Sequence, residues 1–148
     1  MNSITRDRST FVVQNSTEES VNVKYNRQNN SIRIFSAEQR LFFLDDVGLL
    51  QNKILLNTEY GVTIGEVYPT KNHHKGVAHI GDKKYSYTIE NNMLEVFDKK
   101  RQPLLNFNLA DSDALDNYEA AGILFAVVWL HSELSAATAR KASAPYVS

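Results

Sequence analysis

The sequence predicts a mainly β (α+β) protein in which about ten to twelve short antiparallel strands form a barrel or a strongly curved sheet around one C-terminal hydrophobic helix. Two observations support this fold class. Apolar and polar residues alternate with a period of two along most of the chain, and turn residues interrupt the alternation at short intervals. The segment Ala120–Leu130 is instead apolar on every side of a helical wheel, so this helix has to be enclosed.

The first strands are predicted from short alternating segments that begin at residue 11. Residues 1–10 are therefore expected to form a disordered or extended arm, and residues 11–137 to form a single domain. Residues 41–44 are apolar without alternation, which predicts a strand that is buried on both faces or that bends at a barrel corner. The apolar positions of the other early strands are Phe11, Val13, Val21, Val23, Tyr25, Ile32 and Ile34.

The later strands are separated by turn signals that predict hairpins. Gly81-Asp82 and Asn91-Asn92 are expected to be tight turns, because glycine and asparagine tolerate the left-handed backbone conformation. We count ten strand candidates in total. Those of the second half are residues 54–56, 62–68, 76–80, 84–89, 93–97 and 104–109.

The C-terminal helix is predicted over about residues 114–134, with Asp113 as its N-cap and a flexible tail over residues 138–148. Phe125 and Trp129 lie on one side of the helix and are both expected to be buried. The uninterrupted apolar run is 11 residues long, whereas a bilayer requires about 20. The segment is therefore predicted to be a core helix and not a transmembrane segment.

Composition narrows the classes of function. The chain has 148 residues, enough for one domain, and its formal net charge of −1 gives no general attraction to nucleic acid. The absence of cysteine excludes disulfides, thiolate metal sites and a cysteine nucleophile within this sequence. Residues 1–10 lack the hydrophobic region of a secretory signal. These features together predict a cytoplasmic protein.

Motifs for catalysis, cofactors and metals are not found in the sequence. It contains no G-x-S-x-G, no glycine-rich phosphate loop and no H-E-x-x-H, so we expect a protein that is not an enzyme and has no cofactor. His73 and His74 are adjacent, which places them on opposite faces of a strand, and no metal site is predicted there. Asp111, Asp113 and Asp116 lack the glycine and glutamate of a calcium loop and fit helix capping better.

Several segments resemble the tubby C-terminal-like superfamily, especially its compact scramblase-like and LURP-one-related members. The similar segments are Arg40–Asp45, Tyr60–Val67 with its two glycines, Gly76–Tyr87, and the C-terminal apolar helix. The resemblance implies a β-barrel around a central hydrophobic helix, and it implies a binding function, since tubby proteins bind phosphoinositides through basic residues. The ten strand candidates are fewer than the twelve of a typical member, so both a closed barrel and an open curved sheet fit the count.

The candidate binding residues lie in two basic turns, where they could meet a lipid headgroup, another anion or a protein partner. The predicted contact with an anionic membrane is peripheral, and the oligomeric state is not predicted. Three alternatives remain open: solvated turns without a ligand, a barrel that binds a small apolar ligand near Tyr68, Tyr85 and Tyr87, and an enzyme whose site is assembled from distant strands. The candidate residues are Lys83, Lys84, Lys99, Lys100 and Arg101.

Overall fold

The computed structural model describes residues 2–15, 20–35, 39–47, 53–70, 75–110, 112 and 115–143, with the side chains of α1 described as far as Ser132. These residues form eleven strands followed by one helix. The strands are β1 (Ser3–Asp7), β2 (Thr10–Gln14), β3 (Ser20–Asn26), β4 (Ser31–Phe35), β5 (Gln39–Val47), β6 (Lys53–Thr58), β7 (Thr63–Pro69), β8 (Lys75–Ile80), β9 (Lys83–Glu90), β10 (Met93–Phe97) and β11 (Pro103–Leu109), and the helix is α1 (Asn117–Ser143).

The strands form a closed barrel in which each strand pairs with its neighbours in the chain. Every pair is antiparallel except the closing pair, in which β1 runs parallel to β11. An up-and-down meander with an odd number of strands can close only in this way, because its first and last strands point in the same direction. The predicted fold class, a mainly β barrel around one helix, is confirmed.

The first segment of the chain differs from its prediction. Residues 1–10 were expected to form an arm outside the domain, but Ser3–Asp7 is a barrel strand whose Ile4 is 2% exposed. The alternation is weak here because Ile4 is the only buried residue of β1, so it gives no recognisable period. The structured domain therefore begins before residue 11.

The boundaries of α1 also differ from the prediction. The helix begins at Asn117 and continues to Ser143, beyond the expected end near residue 134, so residues 138–143 are helical and not a loose tail. Residues 144–148 lie outside the described chain, as does Asp113, the predicted N-cap. Asp116 is the N-cap instead: its Oδ1 accepts the N–H of Glu119 at 2.7 Å, while Glu119 Oε1 accepts the N–H of Asp116 at 3.3 Å.

Strand β5 alternates, although its sequence does not show it. Phe42 and Leu44 point into the core, whereas Leu41 and Phe43 are half-buried on the other face. Of the two alternatives predicted for this segment, burial on both faces is therefore wrong. Apolar residues on the outer face of the barrel hide the period, because the sequence records hydrophobicity and not burial.

Helix α1 fills the centre of the barrel. The ring of Phe125 packs edge-on against Phe42 at 4.7 Å between centroids. At Gly122 a Cβ atom would lie 3.1 Å from Cγ2 of Ile32, which shows how closely the helix approaches the wall. Trp129 is only partly buried, unlike Phe125. The buried hydrophobic residues of the helix are Ala120, Ala121, Ile123, Leu124, Phe125, Ala126, Val127, Val128 and Leu130.

The helix runs antiparallel to β5 and defines two ends of the barrel. Tyr118 donates a hydrogen bond to Asp46 near the end of β5, and Phe125 contacts Phe42 near its start. We call the end where α1 begins the entry end and the opposite end the exit end. Turns alternate between them, so the β1–β2, β3–β4 and β9–β10 turns lie at the entry end. The β6–β7, β8–β9 and β10–β11 turns lie at the exit end.

Candidate functional site

The two basic turns lie at the same end of the barrel. Lys83 and Lys84 begin β9, and the other three cations occupy the β10–β11 turn, so both groups are at the exit end. The two hairpins are neighbours around the rim because β8, β9, β10 and β11 are consecutive in the sheet. All five side chains are exposed. We call this set the basic rim: Lys83, Lys84, Lys99, Lys100 and Arg101.

The conformation of the β10–β11 turn comes from Asp98. Its Oδ1 accepts the N–H groups of Lys100 at 2.8 Å and of Gln102 at 2.9 Å. Arg101 has a φ of 63°, in the left-handed region, and its N–H donates to the Asp98 carbonyl at 2.9 Å. A carboxylate that organises its own turn in this way is an Asx-type arrangement, and here it presents three consecutive cations to solvent.

Exposed apolar side chains gather at the same end. In the described part of the chain, the large apolar residues that are exposed are Phe35, Tyr60, Val62 and Leu104, and all four lie where strands meet the exit end. Tyr60 is 81% exposed and Val62 is 57% exposed, both in the β6–β7 turn beside the basic rim. The sequence analysis missed these residues, because hydrophobicity shows neither which apolar residues are exposed nor which turns lie side by side.

An apolar cleft opens between the exit-end lip and α1. It has a volume of about 310 Å³ and includes Ile64 and Ile80 on the lip, Val128 and Trp129 on the helix, and Lys83 at the edge. Partial exposure of Trp129 follows from this cleft. Asp82 also lines the cleft, so an apolar surface bordered by one cation and one acid suits a ligand or partner with a large apolar part.

Acidic residues at the exit end are fewer than cations in the described turns. Glu59 and Asp82 are exposed, and Asp98 is half-buried and engaged in its turn. Residues 16–19 and 36–38 lie outside the described part of the chain. The arc from the β6–β7 turn to the β10–β11 turn therefore combines five cations with two exposed acids.

Arg101 also lines a groove on the outer wall of the barrel. The groove measures about 390 Å³ and runs across β8, β9 and β10, with Lys75 at its other border and Ser86, Thr88 and Phe97 among its lining residues. Within the described residues the buried hydroxyl of Thr70, which also borders the groove, has no hydrogen-bond partner. Two cations and several hydroxyls provide donors suited to an oxyanion.

The three tyrosines proposed for a ligand-binding mouth do not converge. Tyr68 lies on the outer face, where it donates to Glu66, and this hydrogen bond lowers the pKa of the Glu66 carboxyl, with a smaller contribution from Lys53. Tyr85 and Tyr87 point into the core, and burial raises the pKa of Tyr87 to about 12. The space between the strands is occupied by α1.

Metal ligation has no geometric support among the described residues, where no three histidine, aspartate or glutamate side chains converge. His79 packs edge-on against Tyr68 at 5.9 Å between ring centroids. His73, His74, Asp111 and Asp113 lie outside the described chain. The apolar stretch in the described part of α1 is too short for a membrane-spanning helix.

Comparisons with protein-family models, with curated proteins and with solved structures each found no match to this chain. The resemblance to the tubby-like superfamily therefore stays a prediction. The functional argument depends on the geometry of the exit end.

Proposed function

We propose that this protein is a non-enzymatic, tubby-like binding module that attaches peripherally to an anionic membrane surface through its exit end. The observation that carries the proposal is the position of the basic rim beside Tyr60 and Val62, on three successive turns of one barrel end. At a membrane surface the lipid phosphates lie outside the acyl chains. The cations of the basic rim could contact the phosphates while the neighbouring apolar side chains contact the acyl chains.

The magnitudes are sufficient for reversible binding. Each lysine or arginine near an anionic surface contributes about 1 kcal/mol, so five give roughly 5 kcal/mol at low salt. Insertion of Tyr60 and Val62 adds an apolar contribution that salt does not screen. Binding should therefore weaken strongly with salt but retain a part that depends on the β6–β7 turn.

The architecture supports the tubby-like part of the proposal. A barrel wrapped around one hydrophobic C-terminal helix is what the resemblance implies, although this chain has eleven strands and a parallel closing pair. Cytoplasmic location and lack of enzymatic activity belong to the same proposal. They rest on the composition and on the absence of catalytic motifs from the sequence.

A protein partner is the second candidate, and the apolar cleft is the observation that favours it. A peptide with one large apolar residue could place that residue between Ile80 and Trp129, with Lys83 and Asp82 at the edge of the cleft to contact its polar groups. A small apolar ligand inside the barrel is a weaker candidate because α1 occupies the interior. The enzyme is the weakest candidate, because it requires a catalytic site assembled from distant strands and the sequence contains no catalytic motif.

The membrane proposal is tested by sedimentation with vesicles of phosphatidylcholine alone, with added phosphatidylserine, and with added phosphoinositide. We expect binding only to the anionic vesicles at low salt. Replacing all five residues of the basic rim with glutamine should abolish it. A matched control, Arg8→Gln with Lys24→Gln, removes two exposed cations at the entry end and should leave binding intact.

The apolar contribution is tested separately with Tyr60→Ser and Val62→Ser. These exposed changes should leave the melting temperature unaltered but remove the binding that persists at high salt. Absence of vesicle binding by the unaltered protein, or equal loss in the rim variant and its control, would refute the membrane function.

A further inference from the structure

A second pocket with a different chemistry lies at the entry end of the barrel. It has a volume of about 560 Å³ and lies between the β1–β2 turn, the end of β3 and the first turn of α1. Its charged residues are four cations and one carboxylate, contributed by segments that are distant in sequence. The lining residues are Arg6, Arg8, Ser9, Lys24, Tyr25, Asn26, Arg27 and Glu119.

The carboxylate of Glu119 organises the floor of this pocket. Its side chain is 1% exposed and forms ion pairs with Arg6 at 2.7 Å and with Arg27 at 3.1 Å. Asp116 also pairs with Arg27 at 3.3 Å. Arg6 is further held because its Nε donates to the carbonyl of Arg8 at 2.9 Å and its guanidinium lies 5.2 Å from the centre of the Phe11 ring.

Glu119 thus holds the guanidinium groups of Arg6 and Arg27 in place, yet each guanidinium keeps N–H groups that can bind another partner. A guanidinium has five N–H groups, and these contacts use only some of those of Arg6 and Arg27. Arg27 is 67% exposed at its side chain, so its remaining donors are accessible from the pocket.

Arg8 and Lys24 are the two pocket cations that take no part in the ion pairs with Glu119 and Asp116. Both are exposed and line the pocket, and among the described residues neither forms an ion pair. If the cluster served only to fasten α1 to the barrel, Arg6 and Arg27 would suffice. Arg8 and Lys24 instead leave an excess of positive charge around the opening, and Arg8 adopts a φ of 57°, in the left-handed region.

We infer that the entry-end pocket binds the phosphate group of a small phosphorylated molecule. Arg8 and Lys24 supply the charge, the free N–H groups of Arg6 and Arg27 supply oriented donors, and Glu119 keeps these two arginines in place. Arginine clusters of this kind suit the tetrahedral oxygens of phosphate. The pocket is larger than phosphate alone, so the rest of the molecule extends toward Tyr25 and Asn26.

The inference is tested by calorimetric titration and melting curves with inorganic phosphate and pyrophosphate, against sodium chloride of equal ionic strength. We expect saturable binding of the phosphate probes, with a higher melting temperature. The variant Arg8→Gln with Lys24→Gln should bind about tenfold more weakly or worse, because two charge-assisted contacts are lost. The basic-rim variant with five glutamines should retain the saturable binding at the entry end, because its substitutions lie at the opposite end of the barrel.

Three outcomes would overturn the inference: no saturable binding, stabilisation equal to that in chloride, or equal weakening in both variants. Vesicle sedimentation distinguishes a soluble ligand from a lipid headgroup. If Arg8→Gln with Lys24→Gln abolishes vesicle binding while the rim variant retains it, the entry end is a membrane site, which contradicts both this inference and the proposed function. If the phosphate probes bind but vesicles do not, the result supports the phosphate pocket and refutes the proposed membrane function.

Discussion

Single residues decide how tightly the helix is joined to the barrel wall. Glu119 serves three purposes at once, since it completes the N-terminal cap of α1 and pairs with arginines from β1 and from the β3–β4 turn. The sequence could show that an acid lies near the helix start, where it favours the macrodipole. It could not show the arginine partners, because Arg6 and Arg27 reach Glu119 only after the barrel closes.

We expect Glu119→Gln to destabilise the protein by about 1 to 3 kcal/mol, because Glu119 loses its charge-assisted contacts with Arg6 and Arg27, while both arginines still contact solvent and Arg27 keeps Asp116. The measurement is the free energy of unfolding in urea, with Glu90→Gln on an exposed site as control. A loss no larger than that of the control would show that the ion pairs contribute little.

Gly76 is a second decisive residue. A Cβ atom there would lie 2.6 Å from both the carbonyl oxygen of Tyr68 and the hydroxyl of Tyr87, and one of these is backbone that cannot move freely. Gly76→Ala should therefore cost about 1 to 3 kcal/mol through overpacking. Ser86→Ala on the outer face is the control, and equal melting temperatures for the two variants would contradict the prediction.

At the scale of elements, α1 shows how far hydrophobicity predicts burial. The apolar wheel correctly predicts an enclosed helix, but it treats Phe125 and Trp129 alike. The structure separates them, since Phe125 is 1% exposed and Trp129 borders the exit-end cleft. The difference depends on where the barrel ends along the helix, which the sequence of the helix does not contain.

Phe125→Ala should cost about 3 to 5 kcal/mol because it leaves a cavity against Phe42. Trp129→Ala should cost clearly less, since part of its ring already contacts solvent. Urea unfolding of both variants measures the difference. Equal costs would mean that the cleft is closed in solution.

Gly65 and Gly122 lie inside a strand and a helix, where glycine is unfavourable unless another element approaches closely, and the approaching element differs between them. Gly122 faces Ile32 on the barrel wall, as expected for helix-to-wall packing. Gly65 instead faces β8, where a Cβ would lie 2.9 Å from the carbonyl oxygen of His79. A glycine pattern indicates that something approaches closely, but only the strand order identifies what approaches.

At the scale of the whole molecule, the strand regions and the enclosed helix could be predicted, whereas closure and the grouping of turns could not. Closure depends on β1, whose single buried residue Ile4 leaves no periodic signal. Which turns lie side by side depends on the order of the strands in the sheet, which hydrophobic patterning does not specify. The basic turns could be proposed from the sequence, but their proximity to Tyr60 and Val62 follows from the topology alone.

We expect alkaline pH to lower the free energy of unfolding of the whole domain. The pKa of Tyr25 is raised to about 12, chiefly by burial and then by Asp116, and burial raises that of Tyr87 to about 12. The folded state therefore holds protons that the unfolded chain releases near pH 10. This stabilising contribution is complete below pH 10 and is lost as the pH rises toward 12, on the order of 2 kcal/mol for each tyrosine.

Urea unfolding at several alkaline pH values, with tyrosinate absorbance, measures this effect. The variants Tyr25→Phe and Tyr87→Phe should each show a smaller alkaline loss. If all seven tyrosines ionise together near pH 10 while the protein stays folded, the assignment is wrong.

The parallel contact between β1 and β11 has a consequence for how the chain reaches this state. During synthesis the strand containing Ile4 emerges first, yet its pairing partner Leu109 emerges only after every other strand. The helix that fills the interior is synthesised after all eleven strands, so the barrel cannot close around its core until α1 is present. Contacts of this range make folding slow and leave unpaired strand edges exposed in the meantime. We therefore expect the growing chain to expose unpaired strand edges and apolar faces until α1 has been synthesised.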